Sequence, residues 1–150
     1  MNKDRPRIGF VPLGNPNLDV AKKDVELVLE NLRKENLEIL PIDKMTWQMP
    51  NDIPEIVGKL VGEKLNLVLI LVTTAATSIC VAELVNRLNT PVLVWALPTR
   101  YAAPSAAAAV GYLRETSRRI EFMVKDIGDK SAYKKVLDLA IVSYTINRLR

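Results

Sequence analysis

The sequence predicts a three-layer α/β domain built on a doubly wound parallel sheet of five strands in the order 2-1-3-4-5. Three observations carry this. Strand-like and helix-like hydrophobic periods alternate five times along the chain, with short turn signals between them. Three of the strand segments are near-continuous apolar runs, as parallel strands buried on both faces must be. The other two contain proline or polar alternation, which only sheet edges tolerate well.

The first strand spans 7–13 and leads into the loop Gly14-Asn15-Pro16-Asn17. In the helix that follows, Val25, Val28, Leu29 and Leu32 fall at i, i+3, i+4 and i+7, so one stripe faces the sheet. The second strand, 37–42, holds Glu38 and Pro41 and belongs at an edge. A loop with Trp47 and Pro50 precedes a helix with the stripe Ile53, Ile56, Val57, Leu60 and Val61, and Asp52 and Glu55 have capping-box spacing at its start. The third strand, 67–72, is wholly apolar and closes on Thr73-Thr74, after which Val81, Leu84, Val85 and Leu88 mark a helix. A fourth apolar strand, 92–97, ends in Pro98-Thr99-Arg100-Tyr101 and is followed, past Pro104, by an alanine-rich helix containing Gly111. The fifth strand, 119–125, alternates Ile120, Phe122 and Val124 with Glu121, Met123 and Lys125, which marks the second edge. Gly128 turns the chain into a last helix, 131–148. Right-handed crossovers then place helices on both faces, giving the flavodoxin-like or Rossmann-like arrangement.

The last helix carries two apolar stripes. Tyr133, Val136, Leu137, Ala140, Ile141 and Tyr144 form the one that a sheet requires. Leu139, Val142 and Ile146 form a second, which is either extra core or a surface for another domain or subunit.

Composition narrows the function. At 150 residues the chain fits one domain spanning 1–150. Half of it is apolar and a quarter charged, as in ordinary soluble proteins. The longest apolar run, 65–76, is interrupted by Asn66, Thr73 and Thr74 and is too short to span a bilayer, so no membrane partner is expected. The charged start leads directly into a strand, with none of the parts of a signal peptide, and places the protein in the cytoplasm. The net charge is +4, but the basic residues are interspersed with acids and no basic run carries interleaved aromatics, so nucleic acid is not an expected partner. The chain has no histidine, which removes Ser-His and Cys-His catalysis and nearly every zinc site. The lone Cys80, between Ile79 and Val81, reads as a buried inert thiol. The acids nearest strand ends, Asp4, Asp19, Asp43 and Glu121, make no metal-binding pattern, and no catalytic or metal-ligating residue is expected in this chain.

In open α/β sheets ligands bind beyond the carboxyl ends of the strands where strand order reverses, here between the first and third strands. That sets Gly14, Asn15 and Asn17 opposite Thr73, Thr74 and Thr77, whose amides and hydroxyls suit a polyhydroxylated or anionic ligand. Each also has a structural reading: Asn17 and Thr74 as helix caps, Gly14 as a turn. Arg100 and Tyr101 share that sheet end, either offering a charged donor and a stacking ring or forming a solvated loop. The loop at 14–17 has neither the dinucleotide glycine fingerprint nor the P-loop lysine.

Gly-Phe-Val-Pro-Leu-Gly at 9–14, the apolar third strand closing on Thr73-Thr74, and Pro-Val-Leu-Val-Trp-Ala-Leu-Pro at 91–98 together resemble the N-terminal domain of the L-fucose isomerase-like sugar isomerases, fucose and arabinose isomerases among them. The resemblance is spread over most of the chain and is most specific around Trp95. It implies a flavodoxin-like domain of carbohydrate metabolism that helps to close a sugar pocket and an oligomer interface. The aldose–ketose isomerase chemistry would lie in later domains, whose Glu, Asp and His ligands hold Mn²⁺; no cofactor is implied for this chain itself. The implied partners are a sugar, a metal-binding isomerase domain and further copies of the chain. Two departures stand out: Thr99 replaces an acidic residue found in many relatives, and 101–109 is alanine-rich where glycines are expected. A free-standing module binding a small sugar or phosphate is the alternative.

Overall fold

The computed structural model describes residues 4–116 and 119–149. The strands are β1 (Arg7–Leu13), β2 (Glu38–Pro41), β3 (Leu67–Val72), β4 (Val92–Ala96) and β5 (Ile120–Val124). The helices are α1 (Asp19–Leu32), α2 (Ile53–Val61), α3 (Ser78–Arg87), α4 (Ala102–Arg114) and α5 (Lys130–Arg148). All five strands run parallel in the order β2-β1-β3-β4-β5, as the apolar runs of the central strands and the Glu38, Pro41 and polar alternation of the edge strands predict, with Pro12 accommodated inside the central β1. β1 and β3 match their expected limits, and the other three strands are shorter by one residue at one or both ends.

Every side chain of β3 and β4 is buried. Alternate residues feed two cores. Val68, Ile70, Val72, Val92 and Val94 pack with α2, α3 and α4 on one face. Leu67, Leu69, Leu71, Leu93 and Trp95 pack with α1 and α5 on the other. At the second edge, Ile120 and Phe122 join the first core and Met123 the second, whereas Val124 stands exposed. The simple alternation expected for β5 therefore fails at Val124, because an edge strand is covered only where a helix crosses it.

Trp95 anchors the α1/α5 face. Its indole N–H donates to the Lys125 carbonyl at 2.8 Å, and its ring meets Tyr133 edge-on at 5.2 Å. The Tyr133 hydroxyl donates to the Ile127 carbonyl at 2.6 Å and accepts from Asn31 Nδ2 at 3.0 Å. Burial pushes the Tyr133 phenol above its ordinary range. One aromatic pair thus ties β4, the turn after β5, α5 and α1 together, with each buried polar atom partnered.

Helix starts depart from the sequence reading in three places. Leu18, not Asn17, is the N-cap of α1, and Thr77, not Thr74, that of α3; neither side chain makes a capping bond. The Asp52/Glu55 capping box does not form, because Pro50–Asp52 adds a 3₁₀ turn ahead of α2 and Asp52 pairs instead with Lys44 at 3.0 Å. Pro54 at the first turn of α2 needs no amide partner, so the helix starts without a side-chain cap. Pro104 is likewise accommodated within the first turn of α4, which begins at Ala102. Among the described residues the one helix N-cap made by a side chain is at α5, where Asp129 accepts from the Ser131 amide at 2.9 Å and its hydroxyl at 2.6 Å.

The second stripe of α5 is only partly covered: Leu139 is half-buried, while Val142 and Ile146 are 56% and 40% exposed. Among the described residues no helix is long and apolar enough to cross a membrane.

Two measurements check this packing. Urea unfolding of Trp95→Phe, which shrinks the ring and strips the Lys125 carbonyl of its donor, is expected to show a loss of about 2 kcal/mol, against little or none if the indole is incidental. The hydrogen bonds from Ser131 hold the Asp129 carboxyl below its ordinary value. Its contribution is therefore present above the usual carboxylate range and lost as pH falls through the lowered value. Asp129→Ala should lower Tm at neutral pH, and the gap from wild type should close on acidification.

Candidate functional site

The loops after β1, β3 and β4 meet at the carboxyl edge of the sheet. Gly14 makes the meeting possible. A Cβ built on it would lie 2.0 Å from Thr73 Oγ1, so only glycine lets the β1 loop pass the Thr73 side chain. Its amide donates to the Thr46 carbonyl at 2.9 Å, which brings the loop after β2 to the same edge.

The three threonines expected to face a ligand are buried, and their hydroxyls are committed to neighbouring loops. Thr73 Oγ1 donates to the Leu13 carbonyl at 3.0 Å, and Met45 Sδ lies 3.5 Å away. Thr74 Oγ1 accepts from the Asn15 amide at 2.9 Å and donates to the Ala75 carbonyl at 3.1 Å. Thr77 Oγ1 donates to the Thr74 carbonyl at 3.4 Å and lies 3.0 Å from Ser105 Oγ, which also accepts from the Thr77 amide at 3.1 Å. Gly14 and Asn15 therefore do sit opposite Thr73 and Thr74, and Thr77 is tied to α4. Asn15 closes its own turn by accepting from the Asn17 amide at 2.9 Å, leaving Asn17 exposed.

Arg100 spans the edge. Nε donates to the Thr73 carbonyl at 3.1 Å, and Nη2 pairs with Asp24 of α1. The Ala75 amide returns a bond to the Arg100 carbonyl at 2.9 Å. The guanidinium is thus occupied in joining β3, β4 and α1. Its neighbour Tyr101 is 79% exposed and free to offer a ring.

Four non-glycine residues hold left-handed backbone: Gln48, Ala76, Arg100 and Tyr101, with φ of 59°, 62°, 53° and 57°. All four lie in loops at the carboxyl edge. Each such conformation costs roughly 1 kcal/mol. Bonds between loops sustain them, among them the Gln48 amide to the Ala76 carbonyl at 2.8 Å. No sequence signal marks these positions, since left-handed turns usually declare themselves through glycine or asparagine.

One opening lies beside this rim, unanticipated from the sequence. A cavity of about 240 Å³ is walled by Pro12, Pro16, Val25 and Met45 and edged by Lys22, Glu26 and Asp43. Lys22 and Glu26 stand i,i+4 on α1 but form no ion pair, whereas Lys59–Glu55, Arg87–Glu83 and Lys134–Asp138 do. Among the described residues no cluster of three or more acids, cysteines or histidines could hold a metal ion. Cys80 lies inside the α2/α3/α4 core, where burial, aided by the Asp52 and Glu83 carboxylates, pushes its thiol up.

No family model, curated protein or solved structure matches this chain.

Gly14→Ala should cost at least about 2 kcal/mol in denaturant unfolding, because the added methyl must displace Thr73 or the loop. An unchanged midpoint would mean that the two loops can part freely. Cys80 should resist iodoacetamide at mildly alkaline pH in the native protein and react promptly in urea; equal rates would place the thiol at the surface.

Proposed function

We propose that this chain is a non-catalytic α/β domain whose carboxyl-edge rim closes one wall of a sugar pocket, the remainder and its Mn²⁺ ligands coming from a metal-binding isomerase domain. The resemblance of 9–14, Thr73-Thr74 and 91–98 to the N-terminal domain of fucose-isomerase-like enzymes supports this. The observation that carries it is the pair Arg100–Tyr101. Both residues hold left-handed backbone, and Arg100 is clamped by Thr73 and Asp24. The strained turn fixes the Tyr101 backbone at the rim, where its ring is exposed. Aromatic faces suit the C–H surface of sugars, and strain of this kind concentrates where a ligand is clamped. The threonines and Asn15 act here as the frame that holds the turn, and the contacts with sugar fall to Tyr101 and its neighbours.

A wall without chemistry of its own binds weakly. Saturation-transfer NMR with L-fucose, L-arabinose and their alditols at millimolar concentration should show transfer from Tyr101 in the chain and none in Tyr101→Ala. No isomerisation should follow on adding Mn²⁺. Absence of transfer from every sugar, or turnover by the chain alone, would overturn the proposal.

A second reading is a free-standing module for a small polar ligand, favoured by the 240 Å³ cavity with its unpaired Lys22, Glu26 and Asp43. It predicts binding by the chain alone that is abolished by Asp43→Asn and indifferent to Tyr101→Ala, the reverse of the first.

A further inference from the structure

We infer that the groove beneath the C-terminal half of α5, at the amino edge of the sheet, is a binding site for a small amphipathic carboxylate: a short hydrocarbon body ending in a carboxylate group. This end is opposite the rim, and the inference is independent of the sugar-pocket reading.

The groove consists of two adjoining cavities of about 310 and 220 Å³ that share Pro91, Arg119 and Ser143. It forms because the first residues of β3, β4 and β5 present Leu67, Val92 and Ile120, while α5 lies across them without closing down. The larger cavity is lined about equally by polar and apolar surface, with Leu139 and Val142 of α5 as its aliphatic wall. The second stripe of α5 thereby acquires a use: it lines a cleft instead of filling a core.

Two groups give the groove its polarity. Ser143 is 8% exposed, its hydroxyl makes no hydrogen bond, and it borders both cavities. Its Oγ keeps contact with the groove's water and is available to a ligand. Arg119 is held in place by its own backbone, whose carbonyl accepts from the Val92 amide at 3.3 Å. No carboxylate among the described residues pairs with its guanidinium. The other charge on the wall, Glu121, is balanced by Lys135 at 3.7 Å. Among the described residues the net unpaired charge of the groove is thus a single cation beside a hydroxyl, and the guanidinium fork matches a carboxylate in two parallel hydrogen bonds. The exposed guanidinium is hydrated until a ligand arrives; a carboxylate replaces that water with a charged pair, and a cation would be repelled. Bare inorganic anions would leave the aliphatic wall wet, which argues for a hydrocarbon body.

Octanoate is a suitable probe. Calorimetry on the intact chain should show saturable binding of one octanoate, with amide shifts confined to the start of β3, β4 and β5 and to 139–147. Arg119→Gln, at an exposed position, should weaken it at least about tenfold, the loss of one charged hydrogen-bonded pair. Ser143→Ala should weaken it by a smaller factor, and octylamine should bind poorly and be insensitive to Arg119→Gln. Circular dichroism and urea midpoints verify that the variants fold. Non-saturable uptake, equal affinity for octylamine, or octanoate affinity unchanged in Arg119→Gln would overturn the assignment. So would sedimentation showing a second copy seated on the groove, through a dimer that Val142→Lys dissociates and octanoate does not.

Discussion

Burial of β3 and β4 on both faces is the constraint from which the rest of this molecule follows. A strand whose six residues are Leu-Val-Leu-Ile-Leu-Val cannot leave either side in water, so helices must cover both, and the connections must cross over in one hand. That fixes a parallel sheet, and a parallel sheet gathers all the loops that follow its strands at one end. The rim at the carboxyl edge and the groove at the amino edge are two consequences of the same requirement. They differ because the loops that follow the strands interlock at one end, while at the other the loops that precede them and the C-terminal half of α5 leave a gap.

At the rim, polar residues that look like ligand contacts in a list of amino acids turn out to be joinery. Thr73, Thr74 and Thr77 have little exposure, and each hydroxyl already has a partner within the protein. Arg100 spends its guanidinium on Thr73 and Asp24. Such bonds are worth about 1 kcal/mol apiece, comparable to the cost of the left-handed residues they sustain. The rim's backbone is therefore stiff, and what it exposes is the Tyr101 ring and a row of short, constrained turns.

Trp95 is first a packing residue: its ring fills the α1/α5 core, and its N–H fixes the end of β5 through Lys125. The contact with Tyr133 explains why the first stripe of α5 begins with an aromatic: the turn after β5 is tied down through the Tyr133 hydroxyl to Ile127.

Sequence by itself determined the class of fold, the strand order, the burial of Cys80 and most of the buried faces of the helices, Val61 and Ile141 excepted. These follow from local hydrophobic period and from where proline and charge are tolerated, which are properties of neighbouring residues along the chain. Tertiary structure alone decided which polar groups remain available. Whether Thr74 meets a ligand or Asn15, whether Arg100 reaches outward or back to Asp24, and whether Ser143 has a partner depend on residues tens of positions away. The helix caps were misread for a related reason: Asn17, Asp52 and Thr74 have capping chemistry, but Asp52 pairs with Lys44 and Thr74 binds the Asn15 amide, while Asn17 sits in a turn closed by Asn15. A side chain's hydrogen-bonding capacity is written in its residue type, and its vacancy is settled only when distant elements have packed around it.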